Sequence, residues 1–338
     1  MTLTNRAKLA ALGFGLVAAV AAPYAFRPFT VSIITLALIF GLYAMSIDLM
    51  AGYAGLVTLG HAGVFATGAY GVGYVASRIG GATGQQLLVG MAAGLVVTSI
   101  FALMAMRVGG TYFLMVTLAQ GMIVWGFATR STDLGAENGL TGVARPSAFS
   151  AYWKFYYLTL AIVLLCSLAM WVIVHSPFGL SLRGLKGSET RLQMLGYNPA
   201  LTKFYVFMLA GLFGTVAGVM YAYYNQFVSP SNAVFATSGK GVLMAIMGGI
   251  GTLIGPVVGA FIIVFIENVL SVHIERWPTL LGLLFIFTIL GARKGFVGAL
   301  SDGWYRWVPG ARAERSTRTV SPLDAGDDAV AAPEVKAN

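Results

Sequence analysis

The sequence predicts an all-α protein, a polytopic bundle of membrane-spanning helices, and three observations carry that expectation. Hydrophobic residues make up 58% of the 338-residue chain and charged residues only 10%, against about 25% charged in an ordinary soluble domain. The mean hydropathy of +0.80 represents more apolar surface than a soluble core can absorb, so the excess must face lipid. Apolar runs of roughly the 20 residues that cross a bilayer recur along the chain and leave no soluble domain of any size. The formal charge of +9 fits cytoplasmic loops rich in Lys and Arg and gives nucleic-acid binding little support. The single cysteine, Cys166, lies inside an apolar run. It allows no internal disulfide and reads as a small buried hydrophobe.

Taken in order, the runs fall at about 9–25, 30–51, 56–77, 87–106, 111–128, 156–175, 201–224, 241–253, 255–271 and 279–292. The first follows Arg6 and Lys8, and its small residues Ala18 to Ala22 mimic the end of a signal peptide. A first span with its basic end in the cytoplasm is the simpler account. The eighth run is short and is parted from the ninth by GGIGTLIGP, residues 248–256. Glycine and proline there predict two half-buried segments or a tight turn in place of one straight helix.

Basic residues give the orientation. Arg6 and Lys8 precede the first run, Arg183, Lys186, Arg191 and Lys203 lie between the sixth and seventh, and Arg293 and Lys294 follow the last. A bundle of about ten spans puts all three clusters, and both termini, on the cytoplasmic side. Eight or nine spans result if the broken segment is re-entrant. The loop 129–155 then faces outward, with Asp133 and Glu137 offsetting Arg130, Arg145 and Lys154. Residues 1–310 form the membrane domain in this reading. Residues 311–338, rich in Ala, Pro, Asp and Arg without an apolar period, read as a disordered cytoplasmic tail.

Small residues punctuate the spans. Gly90/Gly94, Gly214/Gly218 and Gly255/Gly259 have the G-x-x-x-G spacing that lets helix backbones approach, which predicts packing within the bundle. The glycine rhythm of Gly52, Gly55 and Gly60 in GYAGLVTLG is echoed by Gly248, Gly249, Gly251 and Gly255 in GGIGTLIG. Transporters carry paired broken segments near the substrate path, although glycine-rich composition also generates such echoes.

Four polar residues interrupt the apolar runs: Asp48 near the end of the second, His61 in LGHAG, Lys240 opening the eighth and Glu267, beside Asn268, late in the ninth. A charge at the bilayer centre costs about 2.5–3.5 kcal/mol. These residues therefore line a polar path or sit at interfaces reached by water, and for His61 a packed, hydrogen-bonded histidine is the default. The sequence has no G-x-x-x-x-G-K-[ST] phosphate loop, no H-E-x-x-H, no cysteine metal cluster and no G-x-S-x-G elbow. ATP binding by that route is excluded, and an intramembrane enzyme or metal centre has no support.

The stretch SPFGLSLRGLKGSETRLQMLGYNPALTK, residues 176–203, concentrates charge, glycine and proline. Leu182, Leu185, Leu192 and Leu195 lie on or near one helical face, with the charges largely elsewhere. Ser188 caps a short helix starting at Glu189, and Gly196 ends it. Composition leaves open whether this helix is an anchor on lipid headgroups or a docking element.

The chain resembles the permeases of branched-chain amino acid ABC importers, in particular the LivM type, over about residues 30–298. The resemblance is carried by GYAGLVTLGHAGVFATGAY (52–70), TYFLMVTLAQG (111–121), ENGLTG (137–142), SPFGLSLRGLKGSE (176–189), AGLFGTVAGVMYAYYNQFVSP (210–230) and MGGIGTLIGPVVGA (247–260). The loop 176–203 resembles the coupling loop of ABC importer permeases, in which Glu and two small residues precede a glycine. The matching positions are Glu189, Thr190, Arg191 and Gly196, with Ser188 ahead of them, and Arg191 stands where the pattern has a small residue. Lys240 occupies a position commonly acidic in the LivM type and is similar there to the sister LivH type.

The resemblance implies a multi-pass subunit of a bacterial inner membrane, with no cofactor and no catalytic residue of its own. Its implied partners are a LivH-type permease, two ATP-binding subunits that hold ATP and Mg, and a periplasmic binding protein meeting the loops 129–155 and 225–232. Transport is then by alternating access, and the charge at Lys240 is consistent with a substrate other than leucine, isoleucine or valine, such as a carboxylate-rich or aromatic acid. Two rival readings stand beside it. One is an ion-coupled secondary transporter using Asp48 or Glu267, and the other is an assembly subunit without a path.

Overall fold

Pro28 starts the first long helix because its missing N–H falls where a helix has no internal acceptor to offer. In the computed structural model, which describes residues 19–270 together with Thr279, Gly282, Leu283 and Ile286, this helix is α1 (Pro28–Asp48), continued by a π-helical turn at Leu49–Tyr53. Every residue from Ala37 to Ala54 is buried, as expected of a helix apolar on all sides. After an irregular segment come α2 (His61–Tyr74), α3 (Thr83–Ala105) and α4 (Gly110–Arg130). The chain continues through α5 (Tyr152–His175), the short α6 (Pro177–Gly187) and α7 (Glu189–Met194), and the long α8 (Pro199–Asn225). It then enters a helical hairpin of α9 (Phe235–Gly248) and α10 (Gly255–Leu270). Two two-residue strands, β1 (Leu140–Thr141) and β2 (Phe227–Val228), pair antiparallel.

Among the described residues five helical segments are long and apolar enough to cross a membrane: Pro28–Tyr53, Thr83–Ala105, Gly110–Arg130, Tyr152–His175 and Pro199–Asn225. The predicted run 56–77 starts later as a helix, because the chain stays irregular until Gly60. The run at 241–253 instead starts at Phe235 and breaks at Gly248, as GGIGTLIGP predicts. Most of the predicted first and last spans, together with Arg6, Lys8, Arg293, Lys294 and the tail 311–338, lie outside the described residues.

The centre of the bundle is α1, α2 and α8. The helices α3, α4 and α5 pack on it from outside, and the α9–α10 hairpin lies along α1. The outer helices keep large apolar faces exposed, including Leu88, Tyr112, Met115, Phe127 and Leu165. Lipid offers no hydrophobic gain for helix association, so close contact depends on small residues. The G-x-x-x-G positions do serve packing within the chain. A methyl at Gly90 would press on Val72 and the Gly68 carbonyl, one at Gly218 would overlap the Phe65 backbone, and one at Gly259 would overlap the Met244 carbonyl.

The joint between α3 and α8 is reciprocal. Thr98 fills the notch left by Gly211, and Thr215 fills the notch left by Gly94. Each hydroxyl donates back to its own helix, Thr98 Oγ1 to the Gly94 carbonyl and Thr215 Oγ1 to the Gly211 carbonyl, both at 2.7 Å. The polar atoms are thereby satisfied, and the methyl groups provide the contact.

Gly211→Leu should therefore lower the thermal unfolding midpoint of the detergent-solubilised protein, through about 1–3 kcal/mol of overpacking. Adding Thr98→Ala should recover part of the loss. Additive losses in the double variant would show that the two positions are not in contact.

Candidate functional site

The loop 176–203 folds as two helices lying against the ends of the long ones. Pro177 starts α6, whose Leu182 and Leu185 are buried together with Leu192 of α7. The predicted cap forms: Ser188 Oγ accepts from the Arg191 N–H at 3.3 Å. Gly196, with φ +86°, ends the turn in the left-handed region that favours glycine. Leu195 departs from the expected face. The helix stops at Met194, so Leu195 falls out of phase and is 71% exposed, beside Met194 at 84%.

Three contacts fasten this loop. Glu189 pairs with Lys203 at 2.7 Å, and Lys203, whose side chain is only 5% exposed, also donates to the Val108 carbonyl at 2.9 Å. The lack of a side chain at Gly109 leaves room for the pair. Thus α7 is tied to the first turns of α8 and to the corner between α3 and α4. Lys186 of α6 donates to the Gly52 carbonyl at 2.8 Å, with its stem against Gly55.

That Gly52 contact leads directly to Asp48, which is fully buried and so is not at a water-reached interface. Its Oδ1 accepts from the Gly251 N–H at 2.7 Å, while Oδ2 has no hydrogen-bond partner among the described residues. Gly251 has φ +83°, as the turn between α9 and α10 requires. A methyl at Gly52 would overlap both the Asp48 carboxylate and the Gly251 backbone. The two glycine-rich segments that echo each other in sequence therefore touch in space. Gly248 against Gly255, with Gly249 between α9 and the turn, closes the hairpin on itself, and Gly60 lies against the Thr117 carbonyl.

His61 is a packed histidine. Ser46 donates its only hydroxyl proton to the Tyr43 carbonyl at 2.6 Å, so the 2.8 Å contact to His61 Nε2 must have the imidazole N–H as donor. The ring occupies the space left by Gly214, and the next amide, Ala62, donates to Ser238 Oγ of α9 at 3.0 Å.

Lys240 lies in the second turn of α9 and does not open it, and its partner is Glu267 of α10. Neither side chain is therefore an isolated charge. The ammonium sits 4.4 Å from the centre of the Phe40 ring, a cation–π contact. The pair borders a cavity of about 360 Å³ whose wall includes Tyr221, Tyr224, Asn225 and Asn268. This cavity is at the far end of α8 from the loop 176–203, across a 27-residue helix of about 40 Å.

At that same end the structure joins the two loop segments named from the sequence. β1, from the loop 129–155, pairs with β2, from 225–232. Arg145 donates to the carbonyls of Tyr223 and Tyr224 at 3.3 and 3.2 Å and lies over the Phe155 ring. It therefore satisfies the open C-terminal end of α8, where charge counting alone set it against Asp133 and Glu137. Sequence reasoning also missed Phe40, Ser46 and the bond from Lys186 to Gly52. The one available signal was the placement of Lys186 and Lys203 within the charged loop. Among the described residues no group of three or more His, Cys, Asp or Glu side chains is placed to hold a metal ion.

Residues 29–291 match the family described as "Branched-chain amino acid transport system / permease component". The chain is 26% identical over 313 residues to the high-affinity branched-chain amino acid transport system permease protein LivM of Escherichia coli, covering 83% of this chain and 73% of that protein. It is 24% identical over 294 residues to the probable branched-chain amino acid transport permease protein LivM of Methanocaldococcus jannaschii, covering 73% and 83%. A shorter match, 25% over 167 residues and about half of each chain (46% and 50%), is to the ribose import permease protein RbsC of Bacillus subtilis. No solved structure matches the chain.

Asp48→Ala should lower the unfolding midpoint, because the Gly251 amide loses its buried acceptor at a cost of about 1–3 kcal/mol. Asp48→Asn keeps an acceptor oxygen and should retain most of the stability. Equal losses in a thermal melt of the two variants would show that the negative charge, and not the hydrogen bond, holds the turn.

Proposed function

Because the chain belongs to the family of branched-chain amino acid transport permease components, a transport family and not one of enzymes, we propose that it is the membrane subunit of an ATP-driven importer working by alternating access. In this reading it lies in a bacterial inner membrane beside a second, LivH-type permease. Two ATPase subunits, which hold ATP and Mg, dock on the loop 176–203, and a periplasmic binding protein delivers solute at the β1–β2 end.

The observation that carries the reading is the combination of exposure and fastening at α7. Arg191, Met194 and Leu195 are exposed, as a docking knob requires. The same short helix is pinned through Glu189 and Lys203 to α8 and to the α3–α4 corner. Its neighbour α6 is pinned through Lys186 to Gly52, one residue contact from the Asp48–Gly251 tie. A displacement of this loop by closure of an ATPase dimer would reach α1, α3, α4, α8 and the α9–α10 hairpin together. Close packing transmits such a shift instead of absorbing it. Thr190 and Ser188 form the start of the knob, and Gly196 sets where it turns back.

Purification of the tagged chain should bring down ATPase subunits, and their absence would sink the importer reading. Glu189→Lys should abolish ATP-driven uptake in proteoliposomes while membrane insertion stays intact. The exchange Glu189→Lys with Lys203→Glu restores the internal pair. Uptake should stay low if Glu189 is part of the ATPase contact, and wild-type uptake in the exchange variant would confine its role to bracing α7.

A further inference from the structure

We propose that the cavity beside Lys240 and Glu267 is a binding site for the zwitterionic head of an α-amino acid. Its carboxylate is taken by Lys240 and its ammonium by Glu267, with the solute side chain against Phe40 and Tyr221. The inference rests on the transport reading given above and assigns the residues that hold the solute.

Size and access come first. The cavity holds about 360 Å³, near the lower end of the roughly 300–1,000 Å³ seen for ligand pockets, which is room for one small solute. The two charges at its edge come from different helices, α9 and α10, and are neither sealed nor fully wet, at 16% and 25% exposure. Phe40 and Tyr221 meet edge to face in its wall with ring centres 5.8 Å apart, providing apolar surface next to the charges. Asn268, whose amide nitrogen is held by the Val264 carbonyl at 2.8 Å, adds a polar group at the same edge.

Charge pairing supplies the selectivity. Without solute, Lys240 and Glu267 satisfy each other. Separating a partly buried pair is costly unless each charge meets a new partner. A zwitterion brings both partners at once, with opposite signs one carbon apart. A solute carrying only a carboxylate or only an amine leaves one protein charge uncompensated, and a neutral sugar leaves the pair closed. The pairing also removes any need for a second carboxylate on the solute to balance Lys240. The site lies where α8 ends beside the β1–β2 pair, at the far end of the bundle from α7, and only about 12 Å along α1 from Asp48.

The test uses the full-length chain in its transport assembly. The native cysteine, Cys166, is buried, so Asn225→Cys at the exposed rim of the cavity provides a reporter for modification by a maleimide. Free L-leucine, L-valine or L-phenylalanine should slow the reaction, whereas the N-acetyl and methyl-ester derivatives and ribose should not. Glu267→Gln, in the reporter background, should raise the amino-acid concentration giving half protection by roughly tenfold or more, as loss of a charged contact implies. This readout needs no ATP hydrolysis. No protection by any free amino acid in an assembly that does perform ATP-driven uptake overturns the site and leaves the importer reading standing. Equal protection by the blocked derivatives also overturns it. Protection by free amino acids in an assembly without ATP-driven uptake supports the site and overturns the importer reading.

Discussion

The hydrogen bond from the Gly251 amide to Asp48 is the tie on which the rest of the arrangement depends. A backbone N–H that leaves its helix in an apolar interior costs several kcal/mol unless an acceptor is supplied. The chain breaks at 249–254 between α9 and α10, and the acceptor comes from a residue 203 positions earlier in sequence. The approach is close enough only because Gly52 has no side chain to stand between them. Once this tie exists, the end of α1, its π-helical turn and the hairpin share one joint. The Lys186 ammonium then reaches that joint from the charged loop through the Gly52 carbonyl.

The chemistry differs between the two ends of α8. One end holds the loop 176–203, with its charges braced by Glu189, Lys203 and Lys186 and its exposed apolar tip at Met194 and Leu195. The other end holds the Lys240–Glu267 pair, the aromatic wall and the strand pair closed over the last turn of α8 by Arg145. Between them the helices meet through glycine notches and back-bonded threonines. Such contacts are rigid because they leave no space for adjustment.

Much of this was readable from residue order. Helical periodicity is absent from helices surrounded by lipid or protein, but length and apolarity suffice to place α1, α3, α4, α5 and α8 within a few residues. The break at 248–256 followed from glycine and proline chemistry, and the cap at Ser188 and the turn at Gly196 followed from local hydrogen-bonding rules. Less readable was α2, where irregular backbone up to Gly60 delayed the helix. Least readable were the partners of the polar residues. Asp48, Lys240 and Glu267 could be flagged as expensive, and nothing in their spacing said which would meet which.

Composition and local chemistry thus determined by themselves that the chain is a helical membrane bundle, where its charged loop lies and where its helices stop, because those properties depend on near neighbours in sequence and on transfer from water to lipid. Only the tertiary structure decided that Asp48 serves the Gly251 turn, that Lys240 answers Glu267 beside a cavity, and that Lys186 links the charged loop to α1. Each of these pairings joins segments far apart in the chain, and its energy depends on distances of a few ångströms that sequence order does not contain.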